Sequence, residues 1–198
     1  DVLIAAGGEA GGHCGAVSTM VLIPEVCRAL RKHDMDVPVL AAGGIATGEQ
    51  MAAAMAMGAE GAWCGSVWLT TVEAETTPTV KAKMLQATAS DTVRAKSRTG
   101  KPSRQLRSGW TDAWEAGDAP APLPMPLQGL VSEPALKKVD AAAAAGHSGA
   151  EALATYWVGQ AVGLMNEERS VADVMMEFKT EYLEAFQRVE GFLEGVAK

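Results

Sequence analysis

Three short apolar runs in this chain each end in a glycine-rich turn, and this repeated pattern constrains the fold more than any other feature. The runs and their turns lie within residues 2–15, 37–45 and 58–66. Helix-compatible sequence separates them, at residues 19–32 and 48–57. Continuous apolar strands that alternate with helices are typical of a parallel sheet covered by helices. We therefore predict an α/β arrangement with a functional site where the carboxyl ends of the strands emerge.

The first turn, at residues 5–15, combines glycines with one histidine, His13. A strand that ends in such a turn leaves backbone N–H groups pointing outward, and these groups suit the binding of a phosphate. Glycine also lets the backbone approach a ligand closely. Imidazole titrates near neutral pH, which suits the transfer of a proton. The turn is therefore predicted to form a site and not only to connect two elements.

Length and composition restrict the class of protein. The chain has 198 residues and a formal net charge of −7, which argues against a broad nucleic-acid surface. It contains no apolar stretch of about 18 residues, so no membrane-spanning segment is predicted. Its three cysteines, Cys14, Cys27 and Cys64, have neither a metal-ligand spacing nor a disulfide framework. This usage is typical of the reducing cytoplasm, where we expect the protein to be located.

The character of the sequence changes after residue 78, and we predict two domains, 1–78 with the strands and 79–198 with mostly helices. Residues 79–97 are polar and helix-like, whereas residues 97–108 form a basic segment rich in helix breakers. Alternate prolines at residues 117–126 predict an extended connection. Apolar spacing predicts further helices at residues 133–145, 149–165 and 170–194.

Three motifs, in this order along the chain, resemble the nitronate monooxygenase family, and the flavin-dependent enoyl-ACP reductase II group shares the pattern. They lie at residues 9–15, 38–46 and 58–66, while residues 99–107 and 156–160 fit later segments of the family. The resemblance implies the C-terminal part of a (β/α)8 TIM barrel, strands six to eight, plus a mostly helical second domain. Three strands cannot close an eight-stranded barrel. We therefore expect a second polypeptide, or an N-terminal half outside this sequence, to complete it.

The resemblance also implies a cofactor, FMN, held without a covalent bond, and the residues that hold it. The implied cofactor-binding residues are Gly11, Gly12, Ala42, Gly43, Gly44, Gly65 and Ser66. In the family the two later turns hold the phosphate, which agrees with the general position of phosphate sites in such barrels. His13 falls on the family histidine that removes the α-proton of a nitroalkane. Trp157 and Gln160 are implied to line the substrate side of the flavin, and a packing role for Trp157 stays open.

The predicted activity is the FMN-dependent oxidation of alkyl nitronates, or of nitroalkanes, by O2 to a carbonyl compound and nitrite. An FMN-dependent reductase of enoyl thioesters that uses NAD(P)H is the nearest alternative. A non-catalytic flavin-binding module that regulates a partner is an alternative of another class. The third alternative is a barrel enzyme that acts on a phosphorylated sugar without flavin.

Several polar and aromatic residues have two open interpretations. The basic residues of the segment at 97–108 predict either a solvated connection or a clamp for the phosphates of NAD(P)H or a thioester. These residues are Arg98, Lys101, Arg104 and Arg107. Cys14 is interpreted as a small filler and not as a nucleophile, because no third orienting group is visible. Trp63 and Cys64 alternate on the last strand, and packing is the expected role of both.

Overall fold

The computed structural model describes the backbone of residues 1–196 and the side-chain surroundings of residues 1–192. The first half contains β1 (Leu3–Ala6), β2 (Gly12–His13), α1 (Thr19–Lys32), β3 (Val39–Ala42), α2 (Gly48–Ala56) and β4 (Gly61–Trp63). The second half contains α3 (Pro78–Gln86), β5 (Thr92–Ala95), β6 (Ser103–Leu106), α4 (Gly109–Glu115), α5 (Leu127–Ala144), α6 (Ser148–Leu153) and α7 (Val171–Val196). Short 3-10 turns lie at Ser66–Trp68, Ala89–Asp91 and Gln160–Leu164.

The first sheet is parallel and follows the order β1–β3–β4, with α1 and α2 as the connections between successive strands. This confirms the strand and helix alternation predicted from the three apolar runs. Helix α1 has the predicted bounds, and α2 begins after Thr47, whose hydroxyl accepts a hydrogen bond from the Gln50 N–H at 3.2 Å. Side chains of α1 and β3, such as Ile23 and Val39, are buried together in the core beneath the sheet.

The last helix, α7, returns to this parallel region and packs across α2. Its residues Val174 and Phe178 are buried in the same core as the sheet, and the Gly48 N–H donates to the Glu181 carboxylate at 2.7 Å. The apolar face predicted for this helix is only partly covered, because Phe186 further along is 45% exposed. Within residues 1–196, neither α7 nor any other helix is apolar enough over sufficient length to cross a bilayer.

The second sheet is antiparallel, has the order β2–β6–β5 and was not predicted. A helix was predicted over residues 79–97, but α3 ends at Gln86 and β5 follows it. Strand β6 replaces part of the basic connection predicted at 97–108. Strand β5 pairs with β6, and β6 also pairs with the two residues of β2. The β-branched residues of β5 find their partners on β6 and not within a helical turn, so tertiary pairing overrides the local helical pattern.

The helix predicted at 149–165 is wrong over most of its length, because α6 ends at Leu153 and the chain then becomes extended. The Leu106 N–H donates to the Tyr156 carbonyl at 3.0 Å, and the Thr155 hydroxyl donates to the Leu106 carbonyl at 2.6 Å. The Tyr156 carbonyl therefore finds its backbone donor on β6 and not within a helix of its own segment. Helix α5 begins at Leu127, earlier than predicted, and residues 117–126 before it contain no helix, as predicted.

Candidate active site

A cavity of about 470 Å³ lies beyond the carboxyl ends of the three parallel strands, where the sequence predicts the functional site. It brings together every predicted site residue except Gln160. The predicted residues that line it are Gly11, Gly12, His13, Ala42, Gly43, Gly44, Gly65, Ser66 and Trp157. Turns that are far apart in the sequence therefore share one pocket, because parallel strands end at the same edge of their sheet.

The turns after β3 and β4 present backbone donors to this cavity. Gly43 and Gly44 have φ angles of 110° and 71°, which favour glycine. Within the described residues, the N–H groups of Gly44, Gly65 and Ser66 donate to no protein acceptor. Among the residues that the structure describes, neither a lysine nor an arginine lines the cavity. The arrangement can therefore hold an anionic group through neutral backbone donors.

The turn after β3 is supported by Glu9, a residue that the sequence analysis did not single out. Its carboxylate accepts from the Thr19 N–H at 2.8 Å and lies 2.9 Å from the Thr19 hydroxyl, at the beginning of α1. The Thr19 hydroxyl is also 2.9 Å from the Gly43 carbonyl. A carboxylate at the amino end of a helix is favourable. Glu9 thus joins the first glycine turn, the helix and the second turn, and only its place within the first motif could have indicated this role.

His13 lies on β2 and is exposed at the cavity, paired in register with Ser103 of β6. Its Nε2 atom is 2.7 Å from the Thr99 hydroxyl. The neighbouring Cys14 does not line the cavity, and its thiol contacts the Gly8 carbonyl at 3.6 Å. Of these side chains, His13 alone is placed to exchange a proton with a molecule in the cavity.

Aromatic residues form the opposite wall, and a buried cation supports them. Tyr156 and Trp157 line the cavity, and the Arg98 guanidinium carbon lies 3.9 Å from the centre of the Trp157 ring. Arg98 is only 6% exposed, and its Nε donates to Glu133 at 2.8 Å. Arg98 is therefore neither solvated nor free to clamp a phosphate.

The other basic residues of this segment also lie outside the cavity lining. Arg104 donates to the Gly8 carbonyl at 2.9 Å, Arg107 forms an exposed pair with Asp112, and Lys101 is exposed. The structure therefore divides the predicted basic cluster into separate local contacts.

Gln160 lines a smaller cavity on the other side of the first turn, together with Arg104 and Gly8. Its backbone N–H donates to the Glu9 carbonyl at 2.9 Å. The preceding Gly159 N–H donates to the Ser66 hydroxyl at 2.8 Å. The segment at 159–160 therefore ties the first turn to the last one through its backbone, while the Gln160 side chain lies apart from the shared cavity.

Trp63 is part of the site although packing was its expected role. It is 58% exposed and lines both the main cavity and a neighbouring apolar cavity of about 380 Å³, which Cys64 also lines. Burial raises the pKa of the Cys64 thiol to about 11, so this group stays protonated at neutral pH. The Cys64 side chain packs against the core beneath the parallel sheet, and its role as a packing residue stays a prediction.

Fold and site together define part of a (β/α)8 barrel with a cavity at the carboxyl ends of its strands. The sequence pattern of the nitronate monooxygenase family matches residues 1–181, and the chain therefore belongs to the nitronate monooxygenase family. It is 54% identical over 197 residues to a Mycobacterium tuberculosis protein named "Putative monooxygenase Rv1533", and the match covers 98% of this chain and 51% of that protein.

Two solved structures share the fold. One is a nitroalkane oxidase of Streptomyces ansochromogenes, with a TM-score of 0.77 and 28% identity over 96% of this chain and 53% of that one. The other is FabK of Thermotoga maritima, with a TM-score of 0.76 and 32% identity. The match covers 97% of this chain and 57% of the FabK chain. These likenesses confirm the predicted fold class, part of a TIM barrel with a mostly helical second part. The chain spans about half the length of the curated relatives it matches.

Proposed function

We propose that this protein binds FMN and oxidises alkyl nitronates, or the nitroalkanes that form them, with O2 to a carbonyl compound and nitrite. The observation that supports this proposal is a single cavity that His13 shares with backbone N–H groups that donate to no acceptor in the described part of the chain. The family membership supports an oxidoreductase of this kind.

The donor set of the cavity fits the phosphate of FMN. The N–H groups of Gly44, Gly65 and Ser66 would donate to its oxygens. The Ser66 hydroxyl accepts from the Gly159 N–H, so its own proton stays available for a phosphate oxygen. A Cβ at Gly65 would meet no atom within 4 Å, which indicates open space beside this donor. When bound, FMN would supply the redox chemistry.

The remaining predicted cofactor residues, Gly11, Gly12, Ala42 and Gly43, line the same cavity. A Cβ at Gly11 would lie 2.8 Å from the Gly159 nitrogen, so no side chain fits between the first turn and the segment at 158–159. The absence of a side chain at Gly11 therefore lets the first turn line the cavity and also pack against the backbone of residues 158–159. We propose that these residues contact the flavin through their backbone.

His13 is the proposed general base. A neutral nitroalkane must lose the proton on its α-carbon before it can be oxidised, and a ring nitrogen of His13 would receive that proton. A nitronate has already lost it. Tyr156 and Trp157 would cover the substrate and limit its contact with water.

The test compares the two substrates in the wild-type protein and in His13→Asn. We expect nitrite release from the nitroalkane to fall about a hundredfold or more, the usual scale for the loss of a general base. Release from the preformed nitronate should fall much less. His147→Asn is the matched control, since His147 is exposed and lies outside the cavity. An equal loss with both substrates, with FMN retained, would contradict the role of His13 as the base.

Further measurements on the wild-type protein separate the alternatives. Consumption of NAD(P)H with a crotonyl thioester, without nitrite release from a nitronate, would favour the enoyl thioester reductase. Bound FMN that a nitronate cannot reduce would favour the regulatory module. A purified protein without a flavin spectrum would favour chemistry on a phosphorylated sugar.

We also propose that further strands, from a second polypeptide or an N-terminal half, pair with the parallel sheet. Among the described residues, the outer edges of β1 and β4 have no strand partner. Ile4 on β1 is 43% exposed, and Trp63 on β4 is largely exposed. Closing a barrel removes such edges, which otherwise invite association.

A further inference from the structure

We infer that Thr99 is a positioning residue that holds the Nε2–H tautomer of His13 and so leaves Nδ1 to accept the substrate proton. The inference deepens the proposed function and rests on the role of His13 as the base. Its starting point is the contact of 2.7 Å between His13 Nε2 and Thr99 Oγ1, the shortest polar contact of either side chain. In the described part of the chain, Nδ1 contacts no protein donor or acceptor.

The direction of this hydrogen bond follows from the other contacts of the Thr99 hydroxyl. Its oxygen lies 3.2 Å from the Lys101 carbonyl oxygen and 3.3 Å from the Lys101 nitrogen. The carbonyl can only accept and the backbone N–H can only donate, while the hydroxyl has a single proton. All three contacts are satisfied only when the hydroxyl donates to the carbonyl and accepts from both the Lys101 N–H and His13 Nε2–H. Neutral His13 then carries its proton on Nε2.

The backbone around Thr99 is anchored, so its hydroxyl is held at a defined position. The Arg98 carbonyl accepts from the buried Ser132 hydroxyl at 2.5 Å, and the Gly100 N–H donates to the Lys96 carbonyl at 2.9 Å. Pairing of His13 with Ser103 sets the distance between the two backbones. Both partners of the hydrogen bond therefore belong to the same antiparallel sheet and its turn.

This arrangement helps the proposed reaction in two ways. It directs the ring so that the basic nitrogen is the one not occupied by protein. When Nδ1 takes the proton from the α-carbon of the substrate, the ring becomes positively charged and its Nε2–H bond to Thr99 becomes charge-assisted, and therefore stronger.

The first test is spectroscopic and does not depend on activity. The chain has three histidines, so 15N labelling of histidine resolves few signals, and His13→Asn assigns those of His13. We expect proton-coupled Nε2 and unprotonated Nδ1 in the wild-type protein at a pH where the ring is neutral. Thr99→Val should give a mixture of tautomers or a mobile ring, and Thr99→Ser should restore the wild-type signals. A wild-type proton on Nδ1, or an unchanged spectrum in Thr99→Val, would overturn the inference.

The second test is kinetic. Thr99→Val should lower turnover of the nitroalkane about tenfold, because a misplaced base is less effective, and should change turnover of the nitronate much less. Thr99→Ser should recover most of the lost turnover, because serine keeps the hydroxyl. If the methyl group of Thr99 had only a steric role, serine would not restore turnover. If Thr99→Val turns over the nitroalkane as fast as the wild type while His13→Asn does not, the role of Thr99 is refuted and that of His13 is not. Failure of His13→Asn to discriminate the two substrates would instead refute the proposed function.

Discussion

The two sheets of this molecule contribute to the cavity in different ways. The parallel sheet β1–β3–β4 supplies backbone N–H groups, from turns that follow directly on the strands that position them. The antiparallel sheet β2–β6–β5 positions side chains, because it pairs His13 with a strand about ninety residues later in the chain. Backbone donors need only a local turn, whereas the placement of a side chain needs long-range contacts.

Both sheets have an apolar core, with Leu106 of β6 in the second one, but the antiparallel sheet also borders buried polar groups. The parallel sheet packs on apolar side chains such as Ile23 and Phe178. Next to the antiparallel sheet lies a buried polar network, in which Gln105 donates to the Ser97 hydroxyl at 2.9 Å and Gln128 donates to the Ser97 carbonyl at 2.7 Å. Buried polar groups are costly when they lose a partner. The geometry of the second region is therefore more sensitive to single substitutions that remove a polar partner.

The largest expected effect tests the backbone donors of the parallel region. Gly44→Asp should abolish retention of FMN, because the side chain adds bulk and negative charge where the phosphate is proposed to bind. A Cβ at this position would already lie 3.1 Å from the Glu9 Cβ. The measurement is the flavin absorbance that stays with the protein after gel filtration.

Gly146→Asp is the matched control for this substitution. Gly146 has a φ angle of 83°, and a Cβ there would meet no atom within 4 Å. An aspartate at this position imposes similar backbone strain outside the cavity lining, and we expect this variant to retain FMN fully. Retention in Gly44→Asp equal to that of the control would show that the turn after β3 does not hold the phosphate.

A smaller effect tests the buried cation of the second region. Arg98→Met should lower the free energy of unfolding by about 1–3 kcal/mol, because Glu133 loses its partner and Trp157 loses its stacked cation. Arg107→Met is the control, since its pair with Asp112 is exposed and worth less than about 1 kcal/mol. Denaturant unfolding measures both variants. Equal effects in the two would contradict a structural role for the buried guanidinium.

The smallest effect concerns the acid side of the pH dependence of stability. The Thr88 N–H and hydroxyl donate to Asp91 at the turn before β5, and these bonds lower the pKa of its carboxyl below the ordinary value of 3.8. A lowered pKa in the folded state stabilises the fold above pH 3.8, and this contribution is lost as the pH falls through the folded-state pKa. Asp91→Asn should therefore flatten the stability profile slightly below pH 4, in thermal unfolding measured from pH 2 to pH 6.

Asp118→Asn, on the exposed loop at 117–126, provides the comparison for this variant. We expect it to leave the slope of the profile unchanged, because within the described residues its side chain accepts no hydrogen bond. A profile of Asp91→Asn that matches the wild type would show that the Thr88 bonds persist in the unfolded chain or contribute nothing.

The success of prediction differed between the same two regions for a physical reason. Helix α1 was predicted with its bounds because its apolar spacing and its flanking turns are local signals. The segment at 149–165 has an equally helical pattern, yet Tyr156 and Trp157 pair with β6. Local propensity is a weak preference, and tertiary hydrogen bonds outweighed it here.

The sequence by itself predicted the parallel arrangement of β1, β3 and β4 and the position of their glycine turns at one edge of the sheet. It could do so because each glycine turn directly follows its own strand. Only the tertiary structure decided which side chains meet there: Thr99 with His13, Arg98 with Trp157, and Gln160 away from the shared space. These contacts depend on the pairing of segments distant in the chain, and no local pattern of residues records which distant segment will supply the partner.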